Sequence, residues 1–175
     1  AGSGGGANPT WLLSIDNSSH TLQKVDVTTG ASTDVCVLDT DFFYPSLTFS
    51  RLNGLFASRT GERLDQIDPC TCEITEVGLY GDYSGVYGIT SNETDDLYGV
   101  ATTQDVLLAI DVDSARVVDE YRLGCREFNC AVDADADRLW IATNHGIGQS
   151  GHPTSKYLQR KRCMQQLYVS RNPTN

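Results

Sequence analysis

Short apolar runs recur along the chain from Trp11 to Thr143, broken at regular intervals by Gly, Asn, Asp and Ser. The stretch Tyr87–Gly124 shows the pattern best, with apolar segment and polar turn alternating four times. It predicts strands at Val86–Ser91, Leu97–Thr102, Val106–Val112 and Val117–Leu123. Runs this short, rich in β-branched and aromatic residues and bounded by turn formers, are strands. The continuous apolar run Val106–Ile110 fits a strand covered on both faces. No segment sustains an apolar stripe of helical period, which argues against a helical solenoid.

Much of the upstream chain is a copy of that stretch. HTLQKVDVTTGASTDVCVL, ERLDQIDPCTCEITEVGL and DVLLAIDVDSARVVDEYRL each place an apolar strand before an aspartate, then a turn, then a strand. The aspartates, Asp26, Asp68 and Asp111, stand 42 and 43 residues apart. A second anchor, in WLLSID, GLFASR, LYGVAT and RLWIAT, sets Leu13, Phe56, Tyr98 and Trp140 at spacings of 43, 42 and 42. Two independent anchors holding one period are beyond chance similarity. A period in the low forties with four strands per unit is that of propeller blades. The expected fold is all-β, a β-propeller of ~42-residue four-stranded blades, about three and a half to four per chain.

The first blade offers three strands, Trp11–Asp16, Thr21–Val27 and Thr33–Leu38. The second offers Leu47–Ser50, Gly54–Arg59, Arg63–Asp68 and Ile74–Leu79, and the fourth begins with Asn129–Asp133 and Arg138–Thr143. Residues 1–8 read as a flexible lead-in without the features of a signal peptide, and 9–143 as blades with breaks near 45, 85 and 128. Residues 144–175 form a basic tail, either the outer strands of the last blade or a foreign segment. An open stack of blades would expose apolar faces and a strand edge. The expectation is therefore an edge-closed monomer or a homo-oligomer that completes the ring.

Charge sharpens this division. The net charge is −10, and all 23 acidic residues lie at or before Asp137, whereas residues 139–175 carry five basic residues and no acid. Such a balance argues against nucleic acid and anionic membranes as partners. No apolar run approaches the ~20 residues of a membrane helix. Six cysteines fit disulfides and an extracellular or periplasmic protein. Six allow 15 pairings; the local pair Cys125–Cys130 is the candidate from spacing, and neither Cys70-x-Cys72 nor that pair has a zinc-ligand spacing.

The segments LLAIDVDSARVV and LQKVDVTTGAS resemble L-x-x-I-D-x-x-T-G, the repeat of PQQ-like, YVTN-like and related bacterial propellers. The resemblance spans about Trp11–Asn144 and implies the fold; propellers of this kind include enzymes, ligand binders and scaffolds, so it implies no activity.

Asp26, Asp68 and Asp111 each end a strand, where a carboxylate closes a turn onto backbone N–H groups. Asp133, Asp135 and Asp137 make D-x-D-x-D, read either as a solvated hairpin or as the opening of a calcium loop that lacks the EF-hand glycine and glutamate. The connectors between blades hold the candidate ligand residues: Phe42, Phe43 and Tyr44; Tyr80, Tyr83 and Tyr87; Arg126 and Phe128. Aromatics beside acids can stack a sugar or surround a cation, and they can equally wedge between blades as core. His20, His145 and His152 are scattered, and no nucleophile or phosphate-loop motif occurs. The expected function is a non-enzymatic module that binds a small molecule, glycan or protein, with no confident cofactor. A calcium-dependent lyase or hydrolase, and an incomplete propeller that assembles with another chain, are the alternatives.

Overall fold

The computed structural model describes residues 11–50, 52–92 and 95–122, and the backbones of three further strands within 128–168. Among them there are strands and no helix, hence none long and apolar enough to cross a membrane. The strands form four antiparallel sheets. The first comprises β1 (Trp11–Asp16), β2 (Thr21–Asp26) and β3 (Ser32–Val37). The second comprises β4 (Ser46–Ser50), β5 (Gly54–Arg59), β6 (Arg63–Ile67) and β7 (Ile74–Leu79). The third is β8 (Val86–Ser91), β9 (Leu97–Ala101), β10 (Val106–Ile110) and β11 (Val117–Arg122). In the fourth, β12 (Phe128–Asp135) pairs with β13 (Arg138–Thr143), and β14 (Gln165–Tyr168), from the basic tail, pairs with β13.

Each of the first three sheets is a meander in chain order, because within it each strand is joined to the next by a short turn. Strands β6 and β10 stop short of the apolar runs that predict them, because Asp68 and Asp111 leave the ladder to build a turn. Asp26 Oδ1 accepts N–H bonds from Thr28 and Thr29, Asp68 Oδ1 from Cys70 and Thr71, and Asp111 Oδ1 from Asp113 and Ser114. These bonds hold the carboxyls of Asp26 and Asp68 below the usual carboxylate range. The fourth residue after each aspartate is left-handed: Gly30 (φ 73°), Cys72 (φ 62°) and Ala115 (φ 57°). The first repeat places glycine there; the other two tolerate a strained side chain.

The core lies between sheets. Along β5, Leu55 and Ala57 pack toward the first sheet with Ile15, Leu22, Leu38, Phe42 and Ile67, while Phe56 packs toward the third with Leu64, Tyr80, Val86 and Leu108. A strand's period of two sends alternate residues to its two faces, so one strand serves two interfaces. Each fully buried leucine contributes about 2 kcal/mol, so these layers dominate the fold's stability. At Gly99, on β9, a Cβ would come within 2.9 Å of both Ile110 Cδ1 on β10 and Val86 Cγ1 on β8, so glycine lets these neighbouring side chains close over the third sheet.

Two further devices join neighbours. A disulfide links Cys36 on β3 to Cys72 in the turn after β6, with Cα atoms 6.0 Å apart. The expected partner pair Cys125–Cys130 is not tested by it, since Cys125 lies outside the described residues. Between the second and third sheets, β4 runs beside β8 without a backbone ladder. Ser46 Oγ instead accepts the Ile89 N–H at 3.0 Å, and Thr48 Oγ1 accepts the Ser91 N–H at 2.9 Å.

Candidate ligand-binding face

Because successive strands reverse direction, the connectors 38–45 and 80–85 meet the turns that follow β1, β5 and β9 at one end of the sheets. Backbone bonds fix them there. Leu38 N–H donates to the His20 carbonyl, Tyr80 N–H to Glu62, Val86 N–H to Gly61 and Thr102 N–H to Gly85, all at 2.7–3.1 Å. Gln104 Nε2 adds a bond to the Asp82 carbonyl. Carbonyls that would be orphaned at turn ends are thereby used to seat the next segment.

On this connector face three aromatic rings come together. Phe43 and Tyr44 are 59% and 60% exposed, with ring centroids 4.3 Å apart and planes at 69°. Tyr44 lies 5.8 Å from Tyr87, again nearly perpendicular at 72°. Tyr87 is half-buried against Gly61, where a Cβ would come within 2.7 Å of its ring. Glycine at position 61, with φ 71°, is thus what leaves room for that ring. Tyr44 has φ 50° although it is bulky and precedes Pro45, a position that ordinarily favours extended backbone. Two large rings thus stand largely in solvent on a connector whose backbone is left-handed at Tyr44.

Beneath the face sits a charged network that spacing alone did not single out. Asp65 is fully buried and pairs with Arg59. Arg59 Nη1 donates to Thr40 Oγ1 at 2.9 Å, so the guanidinium ties the 38–45 connector to the second sheet. Glu76 accepts from Arg63 Nη1 at 2.7 Å and from Arg59 Nη2 at 3.3 Å. Burial pushes the Asp65 carboxyl up, against the pull of Arg59. The signal for this site was present: Asp65 stands in register where the third sheet has Leu108, and Arg59 where it has Ala101. At the face's edge, His20 Nδ1 lies 3.3 Å from Asp41 Oδ1.

The predicted ligand residues therefore divide. Phe43, Tyr44 and Tyr87 form one cluster, with Phe43 and Tyr44 exposed and Tyr87 half-buried. Phe42 and Tyr80, 3% and 1% exposed, belong to the core and offer no surface to a ligand, Phe42 packing in the layer with the first sheet and Tyr80 in the layer with the third. The Tyr80 hydroxyl is buried beside Ser58 without a hydrogen bond of normal geometry, and burial raises its pKa strongly. Tyr83 is half-buried and donates to Glu120 Oε2 at 2.8 Å, which raises its pKa. Arg126 lies outside the described residues, and Phe128 is placed only as the first residue of β12. Of the predicted metal ligands, Asp133 and Asp135 fall on β12, where Asp135 is the register partner of Arg138; Asp137 lies outside the described residues. Among the described residues no three His, Cys, Asp or Glu side chains gather as a metal centre would need.

No protein-family model and no curated protein sequence matches the chain. Solved structures do, and they are β-propeller-like, in keeping with the fold that the repeat predicts. Virginiamycin B lyase from Staphylococcus aureus is 19% identical, with a TM-score of 0.54 over 75% of this chain and 44% of that one. Hydrazine synthase from Kuenenia stuttgartiensis is 14% identical, with a TM-score of 0.57 over 80% of this chain and 40% of that one. A chain of a nidogen–laminin complex is 12% identical, with a TM-score of 0.54 over 77% of this chain and 68% of that one. The chain thus spans less than half the length of the first two. At these identities the likeness is one of fold.

Proposed function

We propose that this chain is a non-enzymatic propeller module that binds a ligand or partner through its connector face, centred on Phe43, Tyr44 and Tyr87. The observation that carries this reading is the exposed Phe43–Tyr44 pair, held edge to face with Tyr44 in a left-handed conformation. A folded protein has no packing reason to keep such rings in water; recognition supplies one. The nidogen–laminin complex among the similar structures lends support to a protein partner, and the Cys36–Cys72 disulfide supports an extracellular or periplasmic setting. A thermal-shift screen of sugars, small cations and peptides, run on the wild type and on Phe43→Ala/Tyr44→Ala, tests it. A stabilising compound whose effect disappears in the double variant is the expected result. A hit list unchanged by the double variant would remove the reading.

Calcium-dependent lyase or hydrolase chemistry is the second reading. It draws on the lyase among the similar structures and on the Asp133 and Asp135 positions along β12. Metal analysis of protein purified without chelator separates it from the first. Assembly with another copy into a closed ring is compatible with either, and molar mass by light scattering decides it.

A further inference from the structure

Resting on that binding reading, we infer that the ligand of the connector face is cationic: a basic peptide segment whose guanidinium or ammonium groups meet the Phe43–Tyr44–Tyr87 cluster. Two observations lead there. The first is ring geometry. Tyr44 stands nearly perpendicular to both neighbours, so the three rings make a corner and not the flat platform on which a sugar ring lies. Ring faces set at angles to one another suit a cation, which is drawn to the negative face of a ring.

The second is charge. The described loop segments of this face, 17–20, 38–45, 60–62, 80–85 and 102–105, hold five exposed acids, Asp39, Asp41, Glu62, Asp82 and Asp105, and no lysine or arginine. Among the described residues, the arginines beside these segments are engaged by other acids. Arg59 and Arg63 are held by Asp65 and Glu76, and Arg122, at the end of β11, lies 3.7 Å from Glu120. A neutral glycan would make no use of this field. One small cation would meet only part of it, since the acids are spread over four segments around the rings. A string of cations on one chain meets all of it at once, and the field would also speed encounter.

The test is titration calorimetry with a hexa-arginine peptide, tetramethylammonium chloride and maltotriose as probes, at low and at physiological salt. The peptide should bind the wild type and weaken with salt. Tyr44→Ala and Phe43→Ala should each lose about three- to tenfold in affinity, and Asp39→Asn/Asp41→Asn should flatten the salt dependence. Both rings are exposed, so loss of folding would not explain the change, and a circular dichroism melt checks that. No peptide binding by the wild type overturns the inference. Tetramethylammonium binding as tightly as the peptide overturns the peptide as occupant. Maltotriose bound in its place, and lost in Tyr44→Ala, overturns the cation while leaving the face as the site. Peptide affinity unchanged in both ring variants overturns the site as well.

Discussion

Arg59 meets Asp65 at two points, Nε to Oδ2 at 2.6 Å and Nη2 to Oδ1 at 3.2 Å, in the layer between the first and second sheets. Breaking a buried pair leaves an uncompensated charge, whereas replacing both partners with apolar residues is often neutral or better. Asp65→Leu alone should therefore cost about 3–5 kcal/mol. Arg59→Ala/Asp65→Leu, the residues of the third sheet at the same register, should recover most of that loss. Urea denaturation of the single and double variants measures both. A double variant no more stable than Asp65→Leu would show that the bond to Thr40 matters more than the pair.

The same carboxyl has a pH signature. Its folded pKa is raised, so the native state binds more protons than the unfolded one above pH 3.8. Its contribution to stability accordingly falls as pH rises through that window. Asp26 and Asp68 act in the other direction: their folded pKa is lowered, and their contribution is present above 3.8 and is lost as pH falls through the folded value. Carboxyl carbon NMR across the acid range should show Asp26 and Asp68 titrating below 3.8 and Asp65 above it. A common midpoint for the three would contradict the burial and turn geometry described.

Cys36 and Cys72 close a loop with a sequence separation of 36, which the loop-entropy argument values at about 4 kcal/mol. Cys36→Ala/Cys72→Ala should lose about that much, while Cys70→Ser, at an exposed free thiol, should change little. Cys36→Ala/Cys72→Gly should lose less than the alanine pair by about 1 kcal/mol, because glycine is unstrained at a left-handed position. Guanidinium melts of the variants decide this order.

Tyr80 is large and fully buried, so Tyr80→Ala should cost about 3–5 kcal/mol. Tyr80→Phe should cost under about 1 kcal/mol, since its hydroxyl makes no bond of normal geometry and Ser58 keeps its own bond to the Val86 carbonyl. In alkaline absorbance titration Tyr80 should remain protonated until the protein unfolds, and Tyr121, pushed up mainly by burial to about 12, should titrate late. With raised folded values, both withdraw stability as pH climbs above 10. Early ionisation of every tyrosine would refute the placement of Tyr80 in the core.

Gly61→Ala should damage ligand binding without altering any exposed ring. The added methyl comes within 2.7 Å of Tyr87 and sits at φ 71°, so the ring must move. Affinity for whichever probe the wild type binds should fall, with the melting temperature lowered as well. Retained affinity would show that Tyr87 is not part of the site.

The strands were legible because apolar period, turn residues and a repeat of 42–43 residues agree, and aspartates such as Asp68 and Asp111 punctuate them. Strand ends were less so: Asp68 and Asp111 leave the ladder as they cap their turns, whereas Asp26 caps its turn and stays paired with Trp11. The aromatic connectors could be found but not sorted: nothing in FFY says that Phe42 turns into the core while Phe43 and Tyr44 turn out. The Cys36–Cys72 link joins residues brought together only when the first two sheets pack, so spacing favoured a local pair instead. Asp65 was readable as an acid in an apolar strand, and only the packed layer shows that Arg59 answers it.

The contact of Ser46 with the Ile89 N–H asks nothing of the residue it touches except a peptide group. A join of that kind is written on one side only. A unit bearing the hydroxyls can abut a drifted copy of itself, whatever side chain the copy presents at that point. At that one point a change of side chain at position 89 leaves the join intact, because the donor is the backbone.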